Sequence, residues 1–251
     1  MQSFTTNTAV KGFPLLSGLG ISAYELATVN QQLTTDQKEM PLHKIINHDP
    51  NTKILIWKIT ESLESLFREL KLKENSIIRL HSMKSELHQR AFLSVRELLQ
   101  EAGYSDFDLH YDAFGKPYFD DGTHISISHS HEFSSIILSN QNIGIDLEMQ
   151  RDKIKVIAHK FAETEKYFLN PNAEDYIQKL TVIWGAKEAI FKIRNEVGIS
   201  FKDHIEVLPF EITSNQTLAI LNFENKKTEY DIFFVAVENY TLVYAFEKSG
   251  Q

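Results

Sequence analysis

The sequence contains no cysteine, which excludes disulfide bonds and metal sites built on thiolates. It also lacks long apolar runs: stretches such as SSIILS and IFFVAV have the length of a β-strand and are far too short to span a membrane. The N-terminus has neither the basic start nor the apolar segment of a signal peptide. We therefore expect a cytoplasmic protein that does not cross a membrane.

Basic residues are fewer than acidic residues in this sequence. The chain carries 26 Lys and Arg against 34 Asp and Glu, a formal net charge of -8, which argues against nonspecific nucleic-acid binding because that binding neutralises phosphates. No Walker A motif is present, and no G-x-G-x-x-G follows a predicted strand; SGLG lies in a polar N-terminal stretch. A phosphate ligand would therefore need a local basic cluster or a metal ion.

The chain is predicted to divide into three parts. Residues 1–39 are rich in Thr, Asn and Gln, so we expect an extension that is partly ordered at best, with Met40 as an alternative start. Residues 40–140 and 141–251 each mix helices and strands in similar proportion, which predicts an N-terminal and a C-terminal α+β subdomain. The boundary falls near Asn140 to Gly144, and no repeat is strong enough to prove duplication.

Hydrophobic periodicity and turn residues predict the individual elements. A strand is expected at Ile54–Ile59, and several short strands are expected between Phe107 and Met149. Helices are expected at about 61–72, 85–102, 154–168 and 173–195. The stretches HIEVLPFEIT, LAILNF, EYDIFFVAVEN and YTLVYAFEK are predicted to be strands.

The stretch WGAKEAIFK raises the first functional question. Trp184, Glu188 and Lys192 are spaced by four residues and share one side of a helix. The apolar residues of the predicted core face lie on roughly the opposite side: Ile183, Ala186, Ile190, Ile193 and Val197. A solvated face with a Glu–Lys pair is the simpler interpretation, and a functional site is the alternative.

The stretch GIDLE supplies a pair of carboxylates. Because side chains alternate along a strand, Asp146 and Glu148 point to the same side. Such a pair also occurs on ordinary solvated strands. If Glu188 lies nearby, three carboxylates offer oxygen ligands to Mg²⁺, and Lys192 could neutralise a phosphate.

Two further stretches carry candidate polar residues. FGKPYF places Lys116 in a turn between strands, where an exposed hairpin lysine is the simpler interpretation. ISISHSHEF contains Ser128 and the pair His129 and His131, which could be a zinc pair, although no third ligand is evident. Ser128 and His129 point to opposite faces of a strand, which weakens a serine hydrolase interpretation.

The order of these motifs is more specific than any one of them. G-K-P, I-S-H-S, G-I-D-L-E and W-x-x-K-E-A-x-x-K follow one another from Gly115 to Lys192, and the sequence resembles the 4′-phosphopantetheinyl transferase superfamily. Its length resembles the surfactin-synthetase-activating type rather than the short holo-acyl-carrier-protein synthases. The resemblance covers roughly residues 40–251. It implies an α+β fold of two similar subdomains related by a pseudo-twofold axis, with coenzyme A bound in the cleft between them.

The resemblance also implies an activity. The enzyme would transfer 4′-phosphopantetheine from coenzyme A to a serine of an apo acyl or peptidyl carrier protein and release 3′,5′-ADP. Asp146, Glu148 and Glu188 would hold Mg²⁺ against the pyrophosphate. Lys192 would lie near the transferred phosphate, and Glu188 or a metal-bound water would deprotonate the acceptor serine. The partner is typically acidic, and two halves in one chain make a monomer plausible.

The remaining implied roles concern coenzyme A. Lys116, Ser128 and His129 match positions that contact its phosphates and adenosine, and Trp184 matches a tryptophan that supports the lysine. The family usually has an arginine for the 3′-phosphate in the helix before G-K-P, and this sequence offers no unambiguous match. Lys84 or Arg90 is our choice for this role, with Arg96 expected to be structural.

Two other functions remain open at the level of sequence. One is a Mg²⁺-dependent hydrolase that cleaves the pyrophosphate of coenzyme A or nucleotides with water as the nucleophile. The other is an inactive relative that binds coenzyme A or a carrier protein.

Overall fold

The computed structural model describes residues 42–248, and in them groups of strands and groups of helices follow one another along the chain. The strands are β1 Leu42–Asp49, β2 Thr52–Lys58, β3 His110–Tyr111, β4 Pro117–Tyr118, β5 His124–Ser130, β6 Phe133–Ser139, β7 Ile143–Met149, β8 Ile205–Val207, β9 Gln216–Phe223, β10 Lys226–Val237 and β11 Tyr240–Glu247. The helices are α1 Leu63–Glu69, α2 Glu74–Ser82, α3 Glu86–Glu101, α4 Lys153–Ile157 and α5 Tyr176–Arg194. Short 3₁₀ helices are Ala158–Lys160, Thr164–Tyr167 and Ile212–Ser214. The predicted α+β class is confirmed.

The strands form two main antiparallel sheets. Residues 42–139 contribute a four-stranded sheet in the order β1-β2-β6-β5, and residues 143–247 contribute a five-stranded sheet in the order β7-β11-β10-β9-β8. A small β3-β4 pair lies in the connection between α3 and β5. The pseudo-twofold relation between two subdomains stays a prediction.

Each sheet packs against a long helix. Helix α3 buries Phe92, Val95 and Leu99 in a core shared with Leu55 and Ile136 of the four-stranded sheet. Helix α5 buries its apolar residues in a second core, with residues of β9, β10 and β11. A third core joins apolar residues of β2 and β6 with residues of β7 and β11. The carboxylate-bearing strand β7 therefore lies between this third core and helix α5.

A glycine permits the close approach of β7 and α5. A Cβ atom at Gly144 would overlap the carbonyl oxygen of Ala189, a backbone atom of α5. On the helix side, a Cβ atom at Gly185 would lie 2.6 Å from Cγ2 of Val243 on β11. These two glycines bring the side chains of β7 and α5 into one site.

The predicted strands are largely confirmed, whereas two of the predicted helices differ and one helix was not predicted. The helix expected at 61–72 is the shorter α1, and the one expected at 154–168 is broken into α4 and two 3₁₀ turns. Helix α2 was not predicted. The stretch HIEVLPFEIT forms only the short β8 before an irregular segment.

The end of α5 corrects one predicted core residue. The helix ends at Arg194, and Asn195 adopts a left-handed conformation with φ 51° as its C-cap, so the chain leaves the helical path. Val197 is consequently 86% exposed, and its predicted place on the core face is wrong. Ile183, Ala186, Ile190 and Ile193 are buried as predicted.

The predicted N-terminal extension, residues 1–39, and the alternative start at Met40 lie outside the described residues. Among residues 42–248, no helix is long and apolar enough to cross a membrane.

Candidate functional site

Asp146 is the most buried carboxylate of the site. It is 5% exposed, and its Oδ1 accepts hydrogen bonds from Ser128 Oγ at 3.0 Å and from Lys192 Nζ at 2.9 Å. Ser128 Oγ in turn accepts a hydrogen bond from the backbone N–H of Leu147 at 3.1 Å. Asp146 Oδ2 is also buried, and within the described residues it has no hydrogen-bond partner.

Glu148 and Glu188 lie in the field of this aspartate. Burial first, and then the charge of Asp146, raises the pKa of Glu148 above its ordinary value. For Glu188, burial and then Asp146 raise the pKa to about 7, with Lys192 opposing the shift and Glu148 adding to it. The structure thus places the three carboxylates that the sequence singled out within electrostatic range of one another.

Lys192 connects the carboxylates to a cavity. Its Nζ donates to the carbonyl oxygen of Ile145 at 2.7 Å as well as to Asp146, so the ammonium is fixed against β7. The same side chain lines a cavity of about 460 Å³, a volume typical of small-molecule sites. The cavity therefore reaches the lysine that is bonded to Asp146.

The carboxylate cluster fits a divalent cation in its donor chemistry. Hard cations such as Mg²⁺ take carboxylate oxygens, and the unpartnered, buried Oδ2 of Asp146 is an acceptor without a donor. After burial, the charge of Asp146 is the next largest cause that raises the pKa values of Glu148 and Glu188, and a cation would relieve this repulsion. Within residues 42–248, however, no three His, Cys, Asp or Glu side chains are already close enough together to form a complete ligand group.

Lys116 lies in the wall of the 460 Å³ cavity. Its Nζ donates hydrogen bonds to the carbonyl oxygen of Ile193 at 2.7 Å and to Asn142 Oδ1 at 3.2 Å. Burial lowers the pKa of this lysine. The turn is shaped by Asp112, whose Oδ1 accepts hydrogen bonds from the N–H groups of Phe114 and Lys116. The lysine thus ties the β3–β4 turn to the C-terminal end of α5.

His129 also lines the cavity, facing His88 of α3 with 6.5 Å between ring centroids. Partial burial in the cavity wall, followed by the positive charges of His88 and Lys192, lowers the pKa of His129. His131 points elsewhere and contacts Arg151 Nη1 at 3.0 Å. Within the described residues, no zinc cluster accompanies the H-x-H pair.

The three basic residues considered for the 3′-phosphate of coenzyme A differ in exposure and in whether they line the 460 Å³ cavity. Lys84 is exposed, and Arg90 donates to the carbonyl oxygen of Ile59 at 3.0 Å; neither is among the residues that line the 460 Å³ cavity. Arg96 lines the cavity but is 3% exposed and bonded to Asp106 at 3.0 Å.

Arg79 is a cavity residue that the sequence analysis missed. It belongs to α2, the helix that was not predicted, and its guanidinium lies over the rings of Phe92 at 5.7 Å and Tyr111 at 5.4 Å. The three side chains line the cavity together. Only an amphipathic interpretation of ENSIIRLHS could have pointed to it.

Trp184 lies beside the carboxylates and against the core. Its ring contacts Phe161 at 5.1 Å and Phe201 at 5.5 Å between centroids. It also shares a small cavity with Glu148. Direct support of Lys192 by this tryptophan stays a prediction.

Lys187 is a second residue that the sequence analysis missed. It is fully buried and bonded to Glu165 Oε1 at 2.7 Å, and both side chains are 0% exposed. Its Nζ also donates to the carbonyl oxygens of Phe161 and Phe201. These are the two residues whose rings pack on Trp184, so the buried pair fixes the wall behind the site.

Comparison with known proteins gives concordant matches. Residues 142–245 match the sequence profile described as the 4′-phosphopantetheinyl transferase superfamily. A protein of Aneurinibacillus migulanus named 4′-phosphopantetheinyl transferase gsp is 31% identical over 122 residues, which are 48% of this chain and 49% of the relative. The chain thus matches about half the length of this curated relative. The profile match includes β7 and α5, the two elements that carry the carboxylates and Lys192.

Proposed function

We propose that the protein transfers the 4′-phosphopantetheine group of coenzyme A to a serine of an apo carrier protein, because residues 142–245 match the profile of the 4′-phosphopantetheinyl transferase superfamily. The serine oxygen forms a bond to the β-phosphorus, the bond from that phosphorus to the bridging oxygen breaks, and 3′,5′-ADP leaves. The observation that carries the proposal is the bond between Lys192 and Asp146, which joins a ligand-sized cavity to three carboxylates.

In this proposal Asp146, Glu148 and Glu188 hold Mg²⁺. The ion would neutralise charge on the pyrophosphate and polarise the bond that breaks. The support is the unpartnered Oδ2 of Asp146 and the raised pKa values of the two glutamates.

The chain's own residues supply positioning and proton transfer. Lys192, held by Ile145 and Asp146, would face the transferred phosphate. Glu188, which lies in the field of Asp146 and Lys192, would accept the serine proton as a general base. Ser128 would act by holding Asp146.

The cavity would take the nucleotide part of coenzyme A. Lys116 and His129 line it and would contact phosphates or adenosine. For the 3′-phosphate, Arg79 joins Lys84 and Arg90 as a candidate, because it lines the cavity. We further propose the two-subdomain, surfactin-synthetase-activating type, a monomeric state and a cytoplasmic location.

Intact-mass spectrometry tests this function. An apo acyl carrier protein is incubated with the protein, coenzyme A and Mg²⁺, with EDTA added to a parallel sample. We expect the carrier to gain the mass of one phosphopantetheine only without EDTA. Cleavage of coenzyme A without modification of any of several carriers would contradict the proposal and favour a hydrolase. Binding of coenzyme A with neither product would favour an inactive relative.

A further inference from the structure

The ammonium of Lys116 bonds to both ends of the unit formed by β7 and α5. Its Nζ donates to Oδ1 of Asn142, the residue directly before β7, and to the carbonyl oxygen of Ile193 in the last turn of α5. Lys116 belongs to neither element, because it lies in the turn between β3 and β4. One side chain from outside therefore connects the start of the carboxylate strand with the end of the helix.

The bond to Ile193 satisfies a requirement of the helix end. The last carbonyl oxygens of an α-helix have no partner within the helix, and they carry the negative end of the helix dipole, which a cation stabilises. Helix α5 ends at Arg194, with Asn195 in a left-handed conformation. Lys116 brings both a donor and a positive charge to the carbonyl oxygen of Ile193, and this contact fixes the last turn.

The turn that carries Lys116 is stabilised by its own hydrogen bonds. Oδ1 of Asp112 accepts from the backbone N–H groups of Phe114 and Lys116, at 2.9 and 2.8 Å. The N–H of Gly115 donates to the carbonyl oxygen of Asp112 at 3.1 Å, and Gly115 has φ 85°, a conformation that glycine adopts without strain. Lys116 therefore projects from a turn of defined shape, as an anchor for α5 requires.

The residue next to Ile193 is Lys192, which we placed beside the transferred phosphate. The ammonium of Lys192 is held by Ile145 and Asp146 of β7. The contact from Lys116 to Ile193 holds the backbone at the other end of the Lys192 side chain. A lysine side chain has many rotamers, so both ends must be fixed to define its path. A misplacement of about 1 Å can cost about 10²-fold in rate.

We infer that Lys116 is a positioning residue for the transfer reaction: it bonds the start of β7 to the last turn of α5 and so holds Lys192 in place. The inference rests on the proposed function and assigns to Lys116 a role beyond contact with coenzyme A. A lysine ammonium has three donors, and Asn142 and Ile193 take two of them. At most one donor is left for a ligand in the cavity.

Three variants separate this role from direct contact with coenzyme A. Lys116→Met removes the ammonium and keeps a side chain of similar length. Asn142→Ala weakens the same contact at a residue that does not line the 460 Å³ cavity. Lys73→Met is the matched control, because Lys73 Nζ also donates to a backbone carbonyl oxygen, that of Leu109, and lies outside the lining of this cavity.

Steady-state kinetics with coenzyme A varied at saturating carrier protein measures the effect on the reaction. We expect kcat to fall by about tenfold or more in Lys116→Met and by about threefold in Asn142→Ala, because Lys192 loses its alignment. The KM for coenzyme A should rise by a smaller factor than kcat falls in Lys116→Met, and it should be unchanged in Asn142→Ala. Lys73→Met should behave as the unsubstituted protein.

Hydrogen–deuterium exchange followed by mass spectrometry tests the contact itself, without substrates. Backbone amides at the end of a helix exchange faster when the last turn opens more often. We therefore expect faster exchange at residues 189–195 in Lys116→Met and in Asn142→Ala, and unchanged exchange there in Lys73→Met.

The inference would be overturned by an unchanged kcat in Asn142→Ala, by a raised KM for coenzyme A with unchanged kcat in Lys116→Met, or by unchanged exchange at the end of α5. If Lys116→Met does not fold, Asn142→Ala decides the question by the same two measurements. Absence of transfer by the unsubstituted protein would instead refute the proposed function, and the exchange measurement would still decide whether Lys116 holds the helix.

Discussion

Lys192 of α5 and Asp146 of β7 are joined by a hydrogen bond of 2.9 Å, although 46 residues separate them in the chain. The pair lies where Gly144 lets the helix backbone touch the strand. It fixes the position of the Lys192 ammonium relative to the carboxylates of β7. The predictions below test this arrangement part by part.

Replacing Glu188 should remove activity without unfolding the protein. Glu188 is only partly buried and has no place among the core residues, so Glu188→Ala should keep the circular dichroism spectrum. We expect phosphopantetheine transfer to fall by about 10²-fold or more, because a proton acceptor is lost. Retained activity with unchanged Mg²⁺ dependence would show that Glu188 neither accepts the proton nor binds the ion.

The stability of the metal-free protein should fall as pH rises through 7. The pKa of Glu188 is raised from 4.5 to about 7 in the folded state, so between these values the folded protein binds more protons than the unfolded chain. The loss from about pH 5 to pH 8 should be about 1–2 kcal/mol after allowance for solvent screening.

Urea denaturation at the two pH values measures this loss, with Glu188→Gln as the control that should show a smaller one. Added Mg²⁺ should raise the melting temperature more at pH 8 than at pH 5, and EDTA should reverse the gain. Equal increases in melting temperature with Mg²⁺ at both pH values would show that the ion does not bind to these carboxylates.

Adding a methyl group at Gly144 should be costly. In Gly144→Ala the new Cβ meets a backbone carbonyl of α5 that cannot rotate away, and overpacking of this kind costs about 1–3 kcal/mol. Gly185→Ala is the comparison, because its Cβ meets the side chain of Val243 instead. Denaturant titration should find Gly144→Ala the more destabilised of the two; the reverse order would mean that β7 can move away from the helix.

Substitutions of Lys187 and Glu165 should have non-additive effects on the free energy of unfolding. Both are fully buried, and removing one member of a buried pair costs about 3–5 kcal/mol because the other charge is left uncompensated. Lys187→Met should therefore be strongly destabilised in urea. The double variant Lys187→Met/Glu165→Gln should recover part of the loss, since Gln keeps an acceptor for the N–H of Val207. No recovery would indicate that packing, rather than charge, dominates.

Arg79 and Lys84 can be separated by their effect on coenzyme A. Arg79 lines the 460 Å³ cavity and Lys84 does not. We expect Arg79→Ala to raise the KM for coenzyme A by about tenfold, the loss of a charge-assisted contact to phosphate, while Lys84→Ala leaves it nearly unchanged. The opposite result would support the choice made from sequence alone.

Local periodicity was enough to predict that Asp146 and Glu148 share one side of β7 and that Glu188 and Lys192 share one side of α5. Strand alternation put Asp146 and Glu148 on one side, and helix spacing put Glu188 and Lys192 on another element facing them. That the two sides meet depends on Gly144 and its contact with Ala189. A sequence pattern does not reveal a contact between residues so far apart in the chain. The expectation that the two elements form one site came from the family resemblance.

The parts that sequence reasoning missed follow from long-range packing. On helix α5, Lys187 lies between the predicted core face and the face that carries Glu188 and Lys192. Its burial depends on Glu165 and on two carbonyl oxygens from distant segments of the chain. Arg79 reaches the cavity because α2 packs beside α3, and the short, polar α2 sequence has a weak helical signal. The error at Val197 arose because nothing in the apolar spacing indicated the left-handed turn at Asn195.

The position of Trp184 gives the protein an intrinsic optical probe. The sequence has two tryptophans, and Trp57 is 6% exposed within a core, so changes in indole emission on binding should come mainly from Trp184. This ring lines a cavity of about 160 Å³ with Glu148, Arg151 and Ile154. Its fluorescence should therefore report the binding of a molecule in this cavity in real time without any added label.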